Sequence, residues 1–315
     1  MTVSHKPTID EIRAAARRIA PHVHRTPVAT SATLDRELGA RVFFKCENLQ
    51  KVGAFKARGA VNAVLSLDDE AAAKGVIAHS SGNHGAALAY AAGIRGIPCT
   101  VVMPDDAPPI KIEAVKGYGA RIVFCPRSER PEACDRIVEE EGSTLVHPFE
   151  YPPIIAGQGT AALELLEEVG DLDVVIAPVG GGGLLAGTAI TVKSLQPRAA
   201  VLGAEPETMD DAYRSMVTGV RQPAVENPVS LADGLMTGLG QINFDVLRER
   251  EVRVVTVSEE AIVEAGRFVL ERMKLVIEPS AATVLAAIRR SVADLSGKRV
   301  GAILSGGNTD FAWLR

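Results

Sequence analysis

The residues of this sequence best suited to chemistry are one lysine, a group of hydroxyls and amides, and two glycine-rich turns. Lys56 stands in Gly53-Ala54-Phe55-Lys56-Ala57-Arg58-Gly59-Ala60. Taken alone, a lysine is ordinarily a solvated surface group. Three further stretches change its company: Ser80-Ser81-Gly82-Asn83-His84, Gly180-Gly181-Gly182-Gly183 and Ser305-Gly306-Gly307-Asn308 each follow an apolar run that reads as a strand. In open α/β sheets, ligands bind beyond the carboxyl ends of the strands.

Gly180 to Gly183 lie between residues 174–178 and an apolar helix. Consecutive backbone N–H groups and a helix N-terminus are thereby offered to an anion such as phosphate. The same stretch satisfies G-x-G-x-x-A at Gly181, Gly183 and Ala186, and Glu205 ends the next strand, where a dinucleotide site keeps its ribose-binding acid. A monophosphate cofactor and a dinucleotide are both open here, beside a purely structural turn. Ser80, Ser81, Gly82, Asn83 and His84 offer hydroxyls, an amide and free helix N–H groups that could grip a carboxylate. A serine in that place could equally do no more than cap a helix. Ser305 suits the nitrogen of a pyridine ring, for which a nicotinamide enzyme has no evident need; its other reading is a plain Ser-Gly-Gly turn.

The elements that must position these residues alternate between strand and helix. Thr8-Ile9-Asp10-Glu11 has the spacing of a capping box, and Ile9, Ile12, Ala16 and Ile19 recur on one helical face up to Pro21. A short helix over 31–38 ends at Gly39, and a strand over 41–46 leads to the Lys56 stretch. Strand and helix then alternate at 76–79 and 86–92, 99–103 and 110–118, and 121–125 and 132–140. A helix over 154–168 follows, then 174–178, 184–195 and 201–204. A Pro- and Asn-rich loop over 221–228 interrupts the rhythm before a strand at 252–257, helices at 259–273 and 280–290, and a strand at 300–304. This predicts βαβ units with parallel strands, with 71–146 as a small domain and 1–70 plus 147–315 as a large one.

Composition agrees: 315 residues, 47% hydrophobic but 4% aromatic, with 29 glycines, suit helices packed on parallel strands through small aliphatic side chains. A net charge of -5 without basic clusters excludes a nucleic-acid footprint. No apolar run is long enough to span a membrane, and Met1 to Ile9 lacks the apolar segment expected of a secretory signal. Four cysteines without C-x-x-C and six histidines without H-E-x-x-H predict reduced thiols in a cytoplasmic protein and no zinc site.

Gly53 to Ala60, Ser80 to His84, Ala156-Gly157-Gln158-Gly159-Thr160, Gly180 to Gly183 and Ser305 to Asn308, in this order over nearly the whole chain, resemble the serine/threonine dehydratase and serine racemase family of fold type II pyridoxal-phosphate enzymes. The resemblance implies an α/β fold of two open, twisted, mostly parallel sheets with flanking helices, like the tryptophan synthase β chain. It implies that Lys56 holds pyridoxal 5'-phosphate through its amine and, once displaced by the substrate amine, removes the Cα proton; a desolvated lysine of lowered pKa suits both roles. Phe55 would flank the ring, Asn83 would bind its phenolic oxygen, Gly180, Gly181, Gly182 and Gly183 its phosphate, and Ser305 its nitrogen. A neutral hydroxyl at that nitrogen makes the ring a weaker electron sink than a carboxylate would, so loss of the β-hydroxyl is a natural exit. Ser81 would lie on the face opposite Lys56, binding substrate with Ser80, Gly82, Asn83 and His84 and, in racemase relatives, acting as the second acid/base.

Under the same resemblance Glu205 and Asp211, with the Met209 carbonyl, match the family's site for Mg²⁺, Mn²⁺ or Ca²⁺, to which hard oxygen ligands are suited; otherwise they are a solvated helix start. Arg130 matches a position near the substrate pocket of related racemases, where it could pair with a second carboxylate, or it is a solvated arginine before Pro131. Thr237 is a further candidate substrate contact, and Lys51 falls where some racemases bind nucleotide. Ala54 replaces a serine common among dehydratases and looks more like the 3-hydroxyaspartate dehydratases and related racemases.

The expected function is dehydration and deamination of L-threonine or L-serine to a 2-oxo acid and ammonia, by a homodimer. A 3-hydroxyaspartate dehydratase and a serine racemase are alternatives on the same residues. A nicotinamide-dependent dehydrogenase and a non-catalytic pyridoxal-phosphate carrier are rivals of other classes. The end of the chain soon after Asn308 leaves no expected room for a regulatory domain.

Overall fold

The computed structural model describes residues 5–80, 82–107, 109–291 and 295–314. In chain order the first elements are α1 (Ile9–Ile19), β1 (Val28–Ala29), α2 (Ala32–Leu38), β2 (Arg41–Cys46), α3 (Lys56–Leu65) and α4 (Asp69–Lys74). Next come β3 (Val76–His79), α5 (Asn83–Arg95), β4 (Cys99–Pro104), α6 (Pro109–Gly117), β5 (Arg121–Cys125), α7 (Arg130–Glu141), β6 (Thr144–Leu145) and α8 (Pro152–Val169). The remainder comprises β7 (Val174–Pro178), α9 (Gly183–Leu195), β8 (Ala200–Pro206), α10 (Asp211–Thr218), α11 (Gln241–Glu249), β9 (Arg253–Val257), α12 (Glu259–Phe268), α13 (Pro279–Arg290) and β10 (Arg299–Leu304).

Two open sheets result. The larger has the order β1-β2-β10-β7-β8-β9 and the smaller β5-β4-β3-β6. Every pairing is parallel except β1 with β2. These are the two open, mostly parallel sheets that the resemblance implies. Their decisive feature is the placement of the last strand: β10 runs between β2 and β7, with Leu304 opposite Cys46 and Ala302 opposite Ile176. The chain segments leaving β2, β7 and β10 therefore emerge from one edge of the sheet.

The large sheet is covered on one face by α1, α8, α9 and α11 and on the other by α2, α12 and α13, each through a continuous apolar cluster. On the small sheet, α3 and α5 pack on one face and α7 on the other. Helix α3, which begins at Lys56, thus lies between the two sheets, against α5 and α8. Its crossing with α8 is very close, since a Cβ on Gly157 would sit 2.5 Å from the Gly59 Cα. The Ala156–Thr160 stretch is accordingly a packing motif. A buried ion cluster fixes the same junction: Arg58 donates from Nε to Glu47 Oε2 at 2.7 Å and from Nη1 to Glu164 Oε1 at 2.7 Å, and Lys45 Nζ lies 2.7 Å from Glu164 Oε2.

The Thr8 capping box is formed in both directions. Two expectations change. Helix α5 begins at Asn83 rather than near residue 86, because the chain stays extended only to Gly82 (φ -155°, ψ -138°). The helix expected over 259–273 is α-helical to Phe268, widens into a π turn at Val269–Met273, and stops at Lys274 in the left-handed region (φ 60°). Helices α4, α10 and α11 fall outside the expected hydrophobic rhythm.

Candidate active site

Lys56 is the first residue of α3, and the chain just before it is stitched to the loop after β10. Phe55 N–H donates to Ser305 O at 2.9 Å, and Ala54 forms an isolated bridge with Gly306. The Lys56 amine faces a cavity of about 450 Å³, donates to Pro148 O at 2.8 Å, and lies 5.1 Å from the centre of the Phe55 ring. Part of the side chain is open to that cavity and the rest is packed in protein. Burial pushes the ammonium down to about 8, with the Glu278 carboxylate pulling the other way.

Gly180, Gly181, Gly182 and Gly183 line the same cavity and lead into α9. Gly182 has φ +91°, which glycine adopts without cost. A Cβ on Gly181 would run into the Phe149 ring, and one on Gly180 would lie 2.8 Å from Leu235 O. Among the described residues the amides of Gly181, Gly182 and Gly183 donate to no protein acceptor. Such a row of free amides at a helix N-terminus fits a phosphate. Ser305, buried at the end of β10, also lines the cavity.

Across the cavity stand residues of the small sheet. Asn83 donates from Nδ2 to Glu278 Oε1 and Oε2 at 3.0 and 3.1 Å, and its Oδ1 accepts from Asn308 Nδ2 at 2.9 Å. Burial raises the Glu278 carboxyl to about 7, although the Asn83 amide favours its charged form. Ser80 Oγ accepts from Gly82 N–H and Gly85 N–H at 3.2 and 3.1 Å, so this hydroxyl caps the start of α5. Ser81 lies outside the described residues. Gly82, Arg130 and the exposed Thr237 complete the expected set on the cavity wall, with Arg130 half-buried at the start of α7.

Three imidazoles gather beside Lys56. His84 Nε2 is 2.8 Å from Val146 O, which assigns it the ring proton, and its buried Nδ1 has no partner among the described residues. Burial, with Lys56 nearby, pushes His84 down to about 3. His147 accepts at Nδ1 from Glu150 N–H at 3.0 Å and is pushed down to about 4 by burial and by His79. His79 meets the His147 ring edge-on at 5.9 Å and is lowered by burial and by Arg130. All three are neutral at pH 7. His79, His147, Pro148 and Glu278 were not singled out for the site from sequence, and Asn308 entered only as the last residue of the Ser305 stretch; the polar residues following β3 and β10 carried the usable signal.

Glu205, Met209 and Asp211 sit away from this cavity, at the end of β8 and the start of α10, and all three are buried. Glu205 accepts from Ala212 N–H at 3.1 Å and Tyr213 N–H at 2.9 Å, and Asp211 Oδ2 accepts from Leu239 N–H at 2.9 Å. Burial lifts Glu205 to about 9, with Asp211 adding to it, and burial lifts Asp211 as well. Because Glu205 is turned into α10 rather than toward the glycine loop, it is not placed to receive a ribose, and the dinucleotide reading of Gly181, Gly183 and Ala186 loses its acid.

A buried lysine with a lowered pKa, a row of free amides on glycines packed too closely against Phe149, Leu235 and Asn243 to carry a Cβ, and a buried serine hydroxyl all fit pyridoxal phosphate. The family profile described as "Pyridoxal-phosphate dependent enzyme" matches residues 19–306. The chain belongs to this family. Among its relatives, this pyridoxal-phosphate enzyme is 47% identical to a serine racemase from Dictyostelium discoideum, over 97% of this chain and 96% of that protein. It is also 47% identical to a beta-hydroxyaspartate dehydratase from Paracoccus denitrificans, over 96% and 97%. The crystal structure of the T.th. threonine deaminase superposes with a TM-score of 0.92 at 47% identity, covering 97% of this chain and 100% of that one. Lyases and racemases are thus equally near.

Proposed function

We propose that this pyridoxal-phosphate enzyme is an ammonia-lyase that removes water and then ammonia from a 3-hydroxy amino acid, L-threonine or L-serine, to leave a 2-oxo acid. The observation that carries this reading is the Lys56 amine, held at about 8 in a cavity lined by the glycine loop and by the start of α5. When bound, pyridoxal phosphate supplies an electron sink next to the substrate Cα. Gly180 to Gly183 would bind its phosphate, Phe55 would flank its ring, Asn83 would meet its phenolic oxygen and Ser305 its nitrogen. Lys56 first holds the cofactor and then, as a neutral amine, takes the Cα proton; a pKa near the working pH suits that transfer. Pro148 O accepts one N–H of Lys56 and so orients the amine. Gly82, Asn83, His84 and the start of α5, with Ser80 and Ser81, bind the substrate carboxylate. The released eneamine tautomerises and hydrolyses in water.

One observation favours a dicarboxylic substrate: Arg130 stands in the cavity wall beside His79, where a guanidinium can pair with a second carboxylate. A close relative named for beta-hydroxyaspartate, and alanine at position 54, support the same choice. The test is release of ammonia and 2-oxo acid across L-serine, L-threonine and the stereoisomers of 3-hydroxyaspartate, with chiral analysis of recovered serine. Preference for serine or threonine supports the general dehydratase, and preference for a hydroxyaspartate supports the Arg130 clamp. Inversion of serine without release would replace both by a racemase.

The proposal extends to a divalent cation held by Glu205, Asp211 and the Met209 carbonyl, whose charge would offset two buried carboxylates. It also extends to a homodimer of two-domain subunits divided at about residues 70 and 147.

A further inference from the structure

Asn243 lies in the first turn of α11, fully buried, and outside every motif of the sequence. Its Nδ2 donates to two backbone carbonyls from distant parts of the chain, Gly181 O at 2.6 Å and Phe149 O at 3.0 Å. Gly240 N–H adds a second bond to Gly181 O at 3.2 Å. A trans peptide points its N–H opposite to its C=O. Capture of the Gly181 carbonyl from the α11 side therefore turns the Gly182 N–H the other way, toward the cavity. The bond from Asn243 Nδ2 to Phe149 O holds the residue whose ring packs against Gly181. Glu150, next in the chain, ties this segment again to α11 by accepting from Gln241 N–H and Ile242 N–H at 2.5 and 3.1 Å. Asn243 Oδ1 is buried with no partner among the described residues. That is a costly arrangement, and it is consistent with an amide kept for its donor.

We infer that Asn243 is a positioning residue for the phosphate cradle: it touches no ligand, and acts by fixing the peptide after Gly181 so that the glycine amides converge on the anion. This rests on the cofactor reading above. The test is titration of cofactor-stripped protein with pyridoxal 5'-phosphate and, separately, with pyridoxal, which lacks the phosphate. For Asn243→Ala the preference for the phosphorylated form is expected to shrink about tenfold, the scale of one misplaced charge-assisted bond, while the affinity for pyridoxal moves less than about twofold. Equal weakening of both, or no change in either, overturns the inference. If the alanine variant does not fold, Asn243→Ser, which keeps a shorter donor, is expected to lower the same ratio by a smaller amount, and an unchanged ratio overturns the inference. Wild-type protein that binds neither compound would refute the cofactor reading instead.

Discussion

Lys56 combines an amine acceptor, Pro148 O, with surroundings that hold its ammonium at about 8. Only the neutral amine can capture a carbonyl or take a proton, and its share grows as pH rises through about 8. Capture of pyridoxal 5'-phosphate by stripped protein should accelerate from about pH 7 to about pH 9 and then level off, as followed by stopped-flow absorbance. Lys56→Ala should abolish both the covalent absorption band and turnover. The neutral histidines make a prediction about stability, at lower pH. Their pKa values in the folded chain, about 3 for His84 and about 4 for His147, lie below the value near 6.5 of the unfolded chain. The unfolded chain then binds more protons below that pH, so their contribution is full above about 6.5 and is lost as pH falls toward the folded values. Urea midpoints should drop between pH 7 and pH 5, and His147→Gln should flatten that drop.

At the scale of elements, the position of Lys56 depends on how α3 is seated against β2 and α8. Arg58, two residues further along, bridges Glu47 and Glu164 with no exposed surface of its own. Arg58→Ala would leave the buried Glu47 carboxylate without its ionic partner, while Glu164 keeps Lys45, at a cost of about 3–5 kcal/mol. Denaturant unfolding measures that loss. The strand and helix rhythm of these elements was legible because buried parallel strands read as short continuous apolar runs bounded by turn residues, while their helices are longer. Helices α10 and α11 were not legible: both are short and lie among acidic or loop-forming residues, so their amphipathic pattern is hard to tell from a loop in the sequence alone.

At the scale of the molecule, two proposals concern how distant parts act together. If Glu205, Asp211 and Met209 hold a cation, chelation should lower the melting temperature by several degrees and added Mg²⁺ or Ca²⁺ should restore it. An unchanged melting temperature would count against the site. Arg130 stands at the small-sheet side of a cavity whose base belongs to the large sheet. Arg130→Gln should therefore raise KM for a 3-hydroxyaspartate about tenfold or more while leaving KM for serine nearly unchanged, the mark of a lost second-carboxylate pair. Equal effects on both substrates would place Arg130 outside recognition.

The sequence by itself determined the features with a local cause. Glycines at 180–183 answer to turn geometry and close approach, Thr8 and Glu11 to helix capping, and the alternating apolar runs to parallel strands. Asn83 and Ser305 were expected as strand-end residues, and Lys56 through the company of those stretches and the family resemblance. Only the tertiary structure decided what depends on partners far apart in the chain. Insertion of β10 between β2 and β7 brings Ser305 beside Phe55, and α13 carries Glu278 to Asn83, 195 residues away. Folding encloses the Lys56 amine and turns His84 and His147 neutral. Asn243 reaches back 62 residues to hold Gly181. Burial and long-range hydrogen bonds set these properties, and neither leaves a periodic or compositional trace in the residues that carry it.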